Sequence, residues 1–134
     1  MATNDAPGPS LLLVGVDPGL VDFRAMPGLD ADRLRASRAE IDAELRALGF
    51  TVRRCVIDLG ETAGTTLKAA LADGDFDHVM IGAGVRAIPS NLLLFERVIN
   101  IIHRHAPRAA ICFNSDPSDT VDTAKRALAG EAAE

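Results

Sequence analysis

Long apolar runs are missing from this chain of 134 residues. The longest uninterrupted one near its start, Leu11 to Val14, falls far below the about 20 residues a membrane helix needs. Met1 to Ser10 carries no Lys or Arg to open a secretory signal, so the expectation is a cytoplasmic protein without a membrane partner. Cysteine is scarce as well. Cys55 and Cys112 each sit inside an apolar, strand-like run, which predicts two reduced, buried thiols and no disulfide framework. A surplus of positive charge is also absent: 14 Lys and Arg stand against 19 Asp and Glu, for a net charge of -5. That balance opposes phosphate-backbone binding and excludes a nucleic-acid partner from the expected ones. Internal repeats are missing too.

What is present is the composition of an ordinary globular domain, 48% hydrophobic and 25% charged. At this length a single domain buries about two thirds of the surface its unfolded chain exposes. The domain is expected over 10–129, between a small, polar amino-terminal tail over 1–9 and a carboxyl-terminal tail over 130–134.

Hydrophobic patterning divides that domain into four strands and four helices. Leu11 to Val16 is continuously apolar, as a central strand should be. Asp30 and Gly49 bracket a helix whose Leu34, Ile41, Leu45 and Leu48 share one face. Thr51 to Ile57 carries Arg53 and Arg54, which suits a sheet edge. A weaker helix runs from about Thr65 to Ala72, a third strand over Phe76 to Gly82, a third helix over Asn91 to His105 and a fourth strand over Ala109 to Asn114. Asp116, Pro117 and Asp119 supply a cap, a first-turn proline and an acidic third residue for a last helix ending near Leu128.

Strands alternating with helices predict a parallel sheet with right-handed crossovers, in the order 2-1-3-4. The expected fold is a single three-layer α/β domain that resembles a flavodoxin-like (Rossmann-like) fold short of its fifth strand. In such sheets ligands bind outside the carboxyl ends of the strands where the chain reverses direction, here strands 1 and 3. Function is therefore expected on the loops Asp17 to Leu29 and Ala83 to Ser90. The first spans 13 residues where about 2 to 6 are usual. Its functional form is a lid with Phe23 and Met26 underneath, Asp17 near the strand end, and Asp22 and Arg24 able to reach a ligand; its alternative is a surface loop held down by Phe23.

In the second loop, Gly82, Gly84 and Ala87 match the letters of the dinucleotide fingerprint. That fingerprint needs a helix starting at the glycines and an acidic residue about 20 positions later. Here Pro89 and the Ser90–Asn91 cap delay the helix, and the next strand ends in Asn114. The glycines then provide room for close backbone approach, Arg86 a forked donor to a carboxylate or phosphate, and Ser90 and Asn91 a helix start. Asn114 and Ser115 end the fourth strand beside them, and Glu61 and Thr62 approach from the far side. Asp17, Asp22, Arg24, Arg86, Asn114 and Ser115 form the expected polar ring, with Arg86 pairing with a surface Asp as the plainer reading.

Histidine-based chemistry is not expected there. His78 starts a strand, and His103 and His105 end a helix, all near the opposite edge of the sheet. No metal is implied, since His103 and His105 diverge on their helix. Any general base is a carboxylate, Asp17 or Asp22. No cofactor is implied either. A response-regulator receiver would show paired acids after strand 1 and an Asp ending strand 3, where this chain has Asp17 alone and Gly82. A flavodoxin would show a Ser/Thr-rich phosphate loop after strand 1. Ile81 to Arg86, Asn91 to Glu96 and Cys112 to Asn114 together resemble short bacterial flavodoxin-like α/β proteins, a resemblance that implies the fold and no activity.

The third helix is apolar over about half its circumference, wider than the about 100° stripe that packing on one sheet requires. The excess fits contact with a neighbouring helix or the interface of a homodimer, and strand 4 offers a second edge for self-pairing. The leading expectation is a homodimeric domain that binds a small polar or anionic ligand, with lyase, isomerase or hydrolase chemistry as its enzymatic form. The alternatives are a non-catalytic scaffold or protein-interaction module, and a nucleotide-binding domain.

Overall fold

The computed structural model describes residues 8–130. Four parallel strands, β1 (Ser10–Val16), β2 (Thr51–Ile57), β3 (His78–Ile81) and β4 (Ala110–Phe113), lie in the order β2-β1-β3-β4. The helices are α1 (Ala31–Ala47), α2 (Ala63–Ala72), α3 (Ala83–Arg86), α4 (Leu92–His105) and α5 (Thr120–Leu128). The architecture is α/β with helices on both faces of an all-parallel sheet, as the alternating pattern predicted. No helix among the described residues is long and apolar enough to cross a membrane.

Side-chain alternation along β1 assigns the two layers. Leu11 and Leu13 join Met80 and Cys112 on the face covered by Leu45 of α1 and Ala124 and Ala127 of α5. Leu12, Val14 and Val16 join Val79 and Ile81 on the face covered by α2 and α4, through Leu67, Leu71, Val98 and Ile102. β1 is buried on both sides, which explains its unbroken apolar run. β2 is an edge strand whose Thr51, Arg53 and Val56 are exposed.

The expected caps at Asp30, Gly49 and Asp116 are present. Asp30 accepts the Arg33 amide at 2.8 Å, and Gly49 closes α1 with φ of 101°, a left-handed conformation that disfavours a side chain. Asp116 and Asp119 form a capping box around the 3-10 turn Pro117–Asp119, which leads into α5. Other boundaries move. β3 starts at His78 because Asp77 clasps the start of β1, accepting from Ser10 N at 2.9 Å and Ser10 Oγ at 3.2 Å. α2 starts at Ala63, two residues early, since Asp58 gathers the Thr62 amide and hydroxyl and sets the turn. Ala83 to Ser90 is not all loop: α3 begins directly after Gly82, and the delayed helix α4 follows a 3-10 turn at Pro89–Asn91. The expected tails lie mostly outside the described residues, although the Pro9 carbonyl accepts the Thr51 amide at 2.9 Å and so belongs to the sheet.

Candidate functional site

The carboxyl ends of β1, β3 and β4 meet in a crevice with two compartments. The inner one, about 40 Å³, is lined by Val21, Met26, Leu34 and Met80 with Arg38, Arg54, Gly82, Gly84 and Asn114. Because one water needs about 10–15 Å³ of such space, it holds about three waters, or one carboxylate-sized group. The outer compartment is an open groove of about 510 Å³ between the β1–α1 loop and the β4–α5 turn. Ser37, Ser115, Asp116 and Ser118 are its polar lining. Met26 and Ala83 border both spaces, so the two adjoin across the Met26 side chain.

The floor of the inner compartment requires two glycines. The Gly82 amide donates to Val14 O at 2.9 Å, and a Cβ on Gly82 would lie 3.3 Å from that same oxygen. A Cβ on Gly15 would lie 2.8 Å from Arg38 Nη2, so the missing side chain is what admits the Arg38 guanidinium. Arg38 reaches the sheet end from α1 and donates through Nη2 to Val16 O at 2.9 Å. Its remaining guanidinium nitrogens have no acceptor among the described residues. One turn along α1, Asp42 accepts from Arg54 Nη2 at 2.7 Å and Nε at 3.1 Å, a forked pair with side chains 18% and 15% exposed. Burial, and then the neighbouring Arg54 charge, push Arg38 down to about 10 against opposing pulls from Asp42 and Asp17. It remains cationic at neutral pH. Asp42 is spent on Arg54, which leaves Arg38 as the positive charge turned toward the cavity.

The expected site residues divide into those at the crevice and those elsewhere. Gly82, Gly84 and Asn114 line the inner compartment, and Ser115 lines the groove. Asn114 is committed to the fold: its Oδ1 accepts the Ala83 amide at 2.9 Å and its Nδ2 donates to Thr120 Oγ1 at 2.9 Å. Asp17 caps a 3-10 turn by accepting the Gly19 amide at 2.9 Å. Asp22 turns on its own loop, accepting from Arg24 N at 3.1 Å, Nε at 3.0 Å and Nη2 at 3.1 Å. These contacts hold the Asp22 carboxyl below its ordinary 3.8, and the Arg24 side chain is 92% exposed.

Arg86 lines neither compartment. Its Nη2 donates to Asn114 O at 2.8 Å, its carbon CZ lies 5.9 Å from the Phe113 ring centroid, and its Nε is buried without a partner among the described residues. Asn91 donates to Gly84 O at 2.9 Å and steadies α3, while Ser90 is exposed on the turn before α4. Glu61 and Thr62 belong to the Asp58 turn beyond the crevice. Phe23 and Met26 pack against the core beneath the long loop, as its apolar underside should.

Arg38, the side chain best placed to meet an anion, escaped the sequence reading. Its signal was present. Arg38 falls four residues after Leu34 and three before Ile41, inside the apolar stripe of α1, where a charge needs a structural or chemical reason. Ser37 and Ser118 carried no comparable signal, because their position in the groove depends on how the β1–α1 loop folds over α3. No three His, Cys, Asp or Glu side chains among the described residues converge in a way that would hold a metal ion. No family model, curated protein or solved structure matches this chain.

Proposed function

We propose that the protein binds a small anionic molecule, with its acidic group against Arg38 in the inner compartment and its uncharged body along the serine-lined groove. The observation that carries this reading is Arg38: a partly buried cation at the wall of the cavity, admitted by Gly15, with one hydrogen bond and no second acceptor among the described residues. A guanidinium held this way is preorganised for a carboxylate or phosphate oxygen. The inner volume of about 40 Å³ favours a single acidic group over a nucleotide. In the enzymatic form of the proposal Asp17, which follows β1 at the edge of the crevice, is the acid–base group, since it engages its own loop through one oxygen. Asp22, tied to Arg24 at the surface, has no part in it.

Thermal-shift and calorimetric titration against short carboxylic acids, hydroxy acids and sugar phosphates tests the proposal. A ligand at about 100 times its Kd stabilises the folded state by about 2.7 kcal/mol. Arg38→Gln should remove the response while the protein stays folded. A ligand response of undiminished size in Arg38→Gln would overturn the assignment.

A further inference from the structure

The outer side of the α2–α4 layer gathers positive charge on a chain whose net charge is -5. Arg97, Ile101 and Arg104 share one face of α4 by helical spacing. That face turns toward α2, where a Cβ on Gly64 would meet Ile101 at 3.5 Å and Arg97 at 3.9 Å. Lys68 follows one turn after Gly64. With Asn100, His103 and His105 these side chains line an open groove of about 460 Å³. No carboxylate and no aromatic ring lines it, and α2 holds no Asp or Glu. Arg97 donates to Gly60 O at 3.0 Å, but Lys68, Arg97 and Arg104 form no ion pair among the described residues. Cations gathered without counter-charge repel one another, and an anion set among them relieves that repulsion.

The groove continues into an apolar space. His105 also lines a second cavity of about 200 Å³ at the amino edge of the sheet, walled by Leu71, Phe76, Ala106 and Pro107. The Phe76 ring lies over Gly74, where a Cβ would meet it at 2.8 Å. We propose that groove and cavity together dock an acidic segment of a partner protein, with its carboxylates against Arg97, Lys68 and Arg104 and one apolar side chain beside Phe76. Arg97 and Arg104 are two turns apart, about 10 Å along α4. A polyproline-II chain, with three residues per turn and about 3.1 Å per residue, sets side chains three apart on one face at nearly that spacing. A space open along its length does not enclose a small molecule as ligand pockets do. The absence of aromatic rings from the groove removes the stacking platform that single-stranded nucleic acid uses. The groove lies on the layer away from Arg38, so either site can fail without the other.

Fluorescence anisotropy of the full chain with labelled peptides tests this. The probes carry two glutamates three residues apart and a leucine three residues beyond them, in both chain directions. At least one direction should bind saturably, and more weakly as salt rises. Lys68→Glu and Arg104→Glu, both at exposed positions, should each lower the affinity about tenfold at unchanged melting temperature, whereas Lys125→Glu on α5 should leave it as it was. Serine in place of the peptide's leucine should weaken binding severalfold. No binding in either direction, an equal loss in Lys125→Glu, an affinity indifferent to the leucine, or tighter binding to phosphatidylserine vesicles than to the peptides would each overturn the proposal.

Discussion

Replacing Asn114 by Ala tests the roles assigned at the crevice, because the sequence and the structure give that residue different work. From the sequence, Asn114 belongs to a ligand's polar ring, and its loss leaves the fold untouched. In the structure Asn114 is 7% exposed and bridges the Ala83 amide, which opens α3, to the Thr120 hydroxyl, which opens α5. Truncation removes two hydrogen bonds worth about 1 kcal/mol each. It also leaves the Ala83 amide without an acceptor, a desolvation penalty of about 1–3 kcal/mol. Thr120 keeps its bond to the Pro117 carbonyl at 2.8 Å, so its side of the loss is the smaller. The sum is about 2–5 kcal/mol, near a third of the stability of an ordinary domain. Urea unfolding followed by circular dichroism should show the midpoint falling at unchanged slope. Ser115→Ala, at the exposed neighbour, should stay within about 0.5 kcal/mol. A loss below about 0.5 kcal/mol in Asn114→Ala would refute the bridging role, since no buried hydrogen-bond pair is so weak once one partner is orphaned.

Gly15→Ala should leave the domain folded, because the clashing atom is the far end of a flexible arginine, yet displace Arg38 and weaken any anion found to bind by about tenfold; unchanged affinity by calorimetry would separate Gly15 from the site. Asp42→Ala should destabilise the domain by about 3 kcal/mol, the lower end of the range for breaking a buried pair, and should do so more than Asp22→Ala at the exposed Arg24 pair; equal losses in a denaturant titration would contradict the burial contrast. Burial pushes the Cys112 thiol up to about 11 and raises that of Cys55, so Ellman's reagent at pH 8 should react slowly with the native protein and rapidly with both thiols in urea; an immediate native reaction would be inconsistent with both. Hydrogen bonds from Ser10 hold the Asp77 carboxyl below its ordinary 3.8, so its stabilising effect is full above that value and fades as pH falls through the folded one. The stability gap between wild type and Asp77→Asn should therefore narrow in acid, and a gap that widens below pH 3.8 would reverse that sign.

The fold was legible because its strongest signals are local and repeated. β1 is apolar at every position since both of its faces are covered, and the caps at Asp30, Gly49 and Asp116 sit where backbone groups need partners. The site was less legible because hydrogen-bond commitments are non-local. Nothing in the letters around Arg86 shows that the Asn114 carbonyl, 28 residues away, occupies it. The Asp22–Arg24 pairing depends on a tight turn inside a loop whose path the pattern leaves open. The helical turn at Ala83 was hidden for a related reason: Pro89 announces a helix start, and a four-residue helix before it has no periodicity to display. Arg38 was available from the α1 stripe, and the missing half of its explanation was the empty space at Gly15.

The last strand carries a consequence for how molecules of this protein can meet. Residues alternate along a parallel ladder, and Ala110 bonds toward β3 through the Asp77 carbonyl, so Phe113 presents its carbonyl to the open side. That carbonyl already accepts Arg126 Nη2 at 3.2 Å, and β4 is only four residues long. A foreign strand arriving at this border finds one acceptor occupied and a guanidinium in its path. Ribbon-like growth, copy after copy along a shared sheet, is thereby obstructed, and a concentrated solution of the protein should resist fibril formation better than Arg126→Ala, which unblocks the border.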